Sequence, residues 1–143
     1  MKFIAALLVS GASVIGVAQA ADAPNMLGNW NPTGETASAR IGLPVSGWTS
    51  GSAPAYNLQP RPRVVVDNQQ GRGLGGYEIF ADGTKEPFVG VLSRNGQHIL
   101  VSTDRGNAYV DLLSSDSMEW CWMDNLDHVA VVSCDVMARE PAK

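Results

Sequence analysis

Two cysteines and two histidines are the residues of this 143-residue chain best suited to catalysis or metal binding. Cys121 and Cys134 lack the C-x-x-C spacing of a thiol–disulfide exchange site. They flank the turn-forming run Asp124-Asn125-Leu126-Asp127, and a hairpin centred near Asp127 and His128 sets them opposite each other. Opposed residues on neighbouring strands have Cβ atoms about 4.5–5.5 Å apart, within reach of a disulfide. The pair therefore reads as a structural crosslink, worth roughly 3 kcal/mol for so short a loop. Neither His98 nor His128 has a second ligand at metal spacing, and zinc sites draw on three or four Cys, His or carboxylate groups. With the sulfurs joined, the sequence implies no metal site and no cofactor.

Other candidates for chemistry weaken on inspection. Gly71-Arg72-Gly73-Leu74-Gly75-Gly76 matches G-x-G-x-x-G, but a dinucleotide site needs a helix to follow. Here Tyr77-Glu78-Ile79-Phe80 reads as a strand, so the glycines mark a hairpin turn. Asp111, Asp116 and Glu119 lie close along the chain but read as solvated edges rather than an acid–base pair. A Ser-His-Asp triad is defined in space and stays open, although no G-x-S-x-G elbow is present. The expectation is a protein that is not an enzyme.

Aromatic residues make the more informative group. Four tryptophans occur: Trp30, Trp48, Trp120 and Trp122. Alternation along a strand places Trp120 and Trp122 on one face. Trp48 and Tyr56 stand in a stretch rich in Gly, Ser, Ala, Thr and Pro, which has no need of them for a strand. A buried indole N–H requires a partner. Two readings stay open: these rings line a ligand site, or they plug a small barrel as side chains commonly do.

The elements that must position them follow from the turns. From Asp82 onward a turn signal recurs about every ten residues: Asp82-Gly83, Asn95-Gly96, Arg105-Gly106, Ser114 to Ser117 and Asp124 to Asp127. Gly, Asn and Asp accept the positive φ of tight hairpins. The runs between them predict strands at Leu74–Phe80, Glu86–Leu92, Gln97–Thr103, Asn107–Leu113, Met118–Met123 and His128–Met137. Arg63–Asp67 and Leu27–Trp30 bring the number to eight, with Pro32 and Gly34 ending the first. The fold expected is all-β: an eight-stranded antiparallel up-and-down meander, closed or nearly closed as a barrel. Both faces of the last two strands carry apolar residues, so cover from outside is expected, by the long loop or by a second subunit in a homo-oligomer.

Two segments fall outside this beat. Residues 1–20 combine Lys2, an apolar run from Phe3 to Val17 and Ala18-Gln19-Ala20, the pattern of a removable signal peptide. That predicts export to the periplasm or medium and a single domain over 21–143, with a loose arm up to Met26. Residues 33–60 form a long loop in which Ile41, Leu43 and Val45 alternate well enough to hide a strand. Loops of this length are commonly functional. No later run is apolar enough to span a bilayer as a helix. Without Lys2 the chain has nine basic and fourteen acidic residues, unclustered, which argues against nucleic acid as a partner.

Gly28-Asn29-Trp30 in a first strand resembles the G-x-W signature of the calycin superfamily, the lipocalin and avidin-like barrels. In that family the tryptophan packs at the closed end of the barrel near a basic residue after the last strand, a place Arg139 would take. Small periplasmic lysozyme inhibitors look similar at a coarser level. The resemblance implies structural roles for Gly28, Trp30 and Arg139, and binding rather than catalysis. The partner expected is a small amphipathic or aromatic molecule at the barrel mouth, near Trp48, Tyr56, Trp120 and Trp122. The alternative is an envelope protein, such as a hydrolase to be inhibited.

Overall fold

A computed structural model of the chain describes residues 23–41, 54–56, 62–124 and 130–141. It contains nine strands and, among the described residues, no helix: β1 Gly28–Ile41, β2 Ala55–Tyr56, β3 Arg63–Gln70, β4 Gly73–Ile79, β5 Lys85–Leu92, β6 His98–Ser102, β7 Gly106–Ser114, β8 Ser117–Asp124 and β9 Ala130–Arg139. From β3 to β9 each strand pairs antiparallel with the next, and β1 bridges β3 and β9. Eight strands thus close an up-and-down barrel, and the two-residue β2 is an appendage on β1. No helix among the described residues is long and apolar enough to cross a membrane.

Alternation decides the interior. Val64, Val66, Leu74, Phe88, Leu92, Ile99, Val101, Val110, Met118 and Met137 are all buried, each from the inward parity of its strand. Fully burying one such side chain contributes about 1.5–3 kcal/mol. The opposite parity leaves Val89, Val91, Leu100, Met123 and Val132 exposed on the outer wall. Whether residues 42–53 cover any of that wall lies outside the described residues.

Strand β1 departs from the sequence reading, because it does not end at Pro32 and Gly34 but runs on to Ile41. The proline lacks an amide donor, and a bulge absorbs that defect. Pro32 pairs with Met137 and Thr36 with Asp135, so β1 advances four residues while β9 advances two. Gly34 takes φ 95° in the excluded stretch, and the Thr33 hydroxyl donates to the Val136 carbonyl at 3.1 Å. Residues 33–41 are therefore strand, not loop. Beyond the bulge, Ser38 returns to the inner face opposite Ser133.

The N-terminal arm is not loose either. A second bulge, between Val66 and Asn68 on β3, sets Gln69 opposite the buried Leu74. Its amide accepts the Met26 N–H at 2.8 Å and donates to the Pro24 carbonyl at 2.9 Å. Met26 is buried and its carbonyl accepts the Trp30 indole N–H at 3.1 Å. The arm therefore plugs one end of the barrel. Arg139 seals it: the guanidinium lies 4.4 Å from the Trp30 ring centre and donates to the carbonyls of Leu27, Asn25 and Ser115. Gly28 takes φ 137° beside Arg139, a backbone conformation that favours glycine.

At the other end the wall between β1 and β3 is short. Only Gly28, Asn29 and Trp30 pair with β3, whereas nine positions of β1 pair with β9. Among the described residues the barrel is thus plugged at the Trp30 end, and the β1–β3 pairing stops short of the end where β4, β6 and β8 finish.

Candidate functional site

Toward the end where β4, β6 and β8 finish, the interior holds a cavity of about 130 Å³, comparable with one that admits a single aromatic ring. Strand β8 supplies one wall. Trp120 is buried and meets Phe88 edge-on with ring centres 5.6 Å apart, while Trp122 is half-buried nearer the mouth. The turn from β6 to β7 makes room for Trp122. A Cβ on Gly106 would lie 2.7 Å from the Trp122 ring and 2.5 Å from the Met123 carbonyl, so only glycine fits there.

A set of polar side chains on inward parity shares this cavity, two from strands across the barrel from the indoles and two from the strand beside them. Glu78 on β4, Glu86 on β5 and Asp135 on β9 are 3%, 6% and 5% exposed, and all three line the cavity. Ser133 joins them from β9. Carboxylates of this kind are almost never buried unless paired. One partner is Arg105, whose Nη1 donates to Glu86 Oε2 at 3.2 Å, with Nη2 3.9 Å from Asp124. The Thr103 hydroxyl holds the turn by accepting the N–H groups of Arg105 and Gly106 at 3.0 and 3.1 Å. The guanidinium then sits over the Phe80 ring, 5.9 Å from its centre, half in solvent.

Glu86 Oε1 and the Trp120 indole N–H are buried in this cavity without a hydrogen-bond partner among the described residues. Burial pushes the Glu78 carboxyl up to about 7, with the Glu86 and Asp135 charges adding to the rise and Arg105 opposing it. Near neutral pH the site thus holds a carboxyl that can either donate or accept a hydrogen bond, beside a carboxylate held by an arginine.

Of the residues singled out in the sequence, the fold brings Trp120 and Trp122 together in this cavity. Tyr56 is elsewhere. It pairs with Ala39 through β2, is 65% exposed, and lines a separate surface groove with Ile41 and Val132. Trp48 lies outside the described residues, as do Leu43, Val45 and His128. Cys121 and Cys134 are direct partners across β8 and β9 and are joined as a disulfide. Glu119 lies beside that disulfide, making a group of three metal-capable residues whose two sulfurs are already bonded to each other. His98 and Asp111, partners across β6 and β7, are in hydrogen-bond contact on the outer wall, with the Tyr109 hydroxyl 2.8 Å from the same imidazole Nδ1. That cluster is solvated and lies outside the barrel.

Sequence reading missed Glu78, Glu86, Asp135 and Arg105. A signal was present. Glu78 shares parity with Leu74, and Glu86 with Phe88 and Leu92, so each acid interrupts an apolar face. No protein-family model matches the sequence, and no curated protein or solved structure matches it significantly. The site itself therefore carries the functional argument.

Proposed function

We propose that this chain is an exported, non-enzymatic binding protein that takes a small amphipathic or aromatic ligand at the mouth of its barrel. The observation that carries the reading is one cavity lined both by two indoles, Trp120 and Trp122, and by buried polar groups, Glu78 and Glu86 from across the barrel and Asp135 and Ser133 from beside the indoles. Small-molecule sites are concave and largely apolar with a few convergent polar groups. Binding is favoured over turnover because the Glu86 carboxylate is engaged by Arg105 rather than by a nucleophile. The Cys121–Cys134 disulfide fits an oxidising, exported environment. The stack of Arg139 on Trp30 at the closed end supports the calycin resemblance, which implies binding rather than catalysis.

Tryptophan emission of the 21–143 protein tests the reading against a panel of lipids, aromatic metabolites and vitamins. A saturable change is expected, reduced strongly by Trp122→Ala. Emission unchanged across the whole panel would overturn the proposal.

A further inference from the structure

We infer that the ligand is a small organic cation, an aromatic amine that also bears a hydroxyl or carbonyl oxygen, with its ammonium at Glu86 and its ring on Trp120 and Trp122. The inference rests on the barrel-mouth reading above and adds the charge and polar groups of the occupant.

Charge is the first ground. Three acids line the cavity, none more than 6% exposed, against Arg105, whose side chain is 53% exposed and stands at the rim. Arg105 reaches Glu86 through Oε2 alone. Glu86 Oε1 remains buried in the cavity wall without a partner. A buried carboxylate oxygen is costly unless a donor reaches it. An ammonium supplies such a donor together with compensating charge, while an anion would enter a site already negative.

The indoles are the second ground. A cation beside the face of tryptophan is attracted by its ring quadrupole, and an aromatic ring packs on the same surface. The Trp120 N–H is also buried without a partner. It is a donor, so it calls for an acceptor oxygen on the ligand, which a simple alkylamine lacks. A cavity of about 130 Å³ suits one ring rather than a lipid chain.

Binding of such a cation is linked to protons. Glu78 on β4 is faced by Glu86 on β5, Asp135 on β9 and Arg105 in the turn from β6 to β7. With its carboxyl raised to about 7, Glu78 is partly protonated at neutral pH, chiefly through burial. A bound ammonium favours the ionised form, so binding releases a proton and strengthens as pH rises through that value.

Three probes of one shape separate the outcomes by calorimetry: 2-amino-2-phenylethanol, the neutral 1-phenylethane-1,2-diol, and the anion mandelate. The amine is expected to bind at least about tenfold more tightly than the diol, with mandelate weakest. Glu86→Gln should erase the amine's preference over the diol. Amine affinity should rise between about pH 6 and about pH 8 in the parent protein and stay level in Glu78→Gln, a variant that removes a buried charge and keeps the shape. Equal affinity for amine and diol overturns the cation inference and leaves the cavity reading intact. So does failure of all three probes when another member of the fluorescence panel binds. Silence from these probes and from the whole panel overturns both.

Discussion

Glu78 and Glu86 are direct partners across the β4–β5 ladder, and both carboxyl groups are buried inside the barrel. Like charges placed opposite each other destabilise a sheet, and burial adds to the cost. Arg105 offsets the charge on Glu86, and Glu78 meets the rest by holding its proton up to about 7.

That arrangement makes stability depend on pH. The folded Glu78 carboxyl titrates near 7 and its ordinary value is 4.5, so between them the folded state binds more protons than the unfolded one. Its stabilising contribution is therefore complete below about 4.5 and is lost as pH rises through about 7. Urea unfolding should give lower stability at pH 8 than at pH 5, by up to roughly 3 kcal/mol. Glu78→Gln should recover most of that at pH 8 and flatten the profile. A parent profile already flat over this range would refute the assignment.

At the closed end, Arg139 combines a stack on Trp30 with hydrogen bonds to three backbone carbonyls. Arg139→Ala is expected to cost roughly 2–4 kcal/mol, since charge-assisted bonds and a cation–π contact go together. Arg139→Lys should recover less than half, because a single ammonium cannot reproduce the planar fork. Chemical denaturation of the two variants tests both numbers, and a lysine variant as stable as the parent would count against the fork.

The disulfide links residues that the β8–β9 register already sets opposite. Cys121→Ser with Cys134→Ser should lower stability by about 3 kcal/mol and keep the barrel. Near-ultraviolet circular dichroism should stay close to the parent spectrum while the denaturation midpoint falls. Loss of the tertiary signal at room temperature would mean the bond is needed to form the fold.

Gly106 holds open the space for the Trp122 ring. Gly106→Ala drives a methyl group into that ring and into the Met123 carbonyl, at a cost of roughly 1–3 kcal/mol. It should shift tryptophan emission and weaken any ligand that quenches it. An unchanged spectrum would show that the turn yields instead of the indole.

Much of the fold can be read from local chemistry. Turn residues such as Asp82-Gly83 and Asn95-Gly96 need no distant partner to act, so the meander from β4 to β9 follows from short-range preferences. The same holds for the disulfide, because symmetry about a hairpin centre between residues 127 and 128 already pairs Cys121 with Cys134. It holds too for Trp120 and Trp122, which alternation alone keeps on one face.

Other features depend on closure. Pro32 and Gly34 look like the end of a strand, and only the edge offered by β9 lets a bulge carry β1 past them. The arm at Met26 is held by Gln69, forty-three residues away along the chain.

The site shows the distinction best. In β9 the run Ala130, Val132, Cys134 and Val136 is the more apolar face, and local pattern would turn it inward. The barrel turns it outward, because register pairs Asp135 with Trp120 and Ser133 with Trp122, and paired residues share a face. The sequence alone therefore determined the strands of the β4–β9 meander, their order and their crosslink. Tertiary closure decided which acids became the lining, since on strands apolar on both sides the inward face is settled by the neighbouring strand and not by the residues themselves.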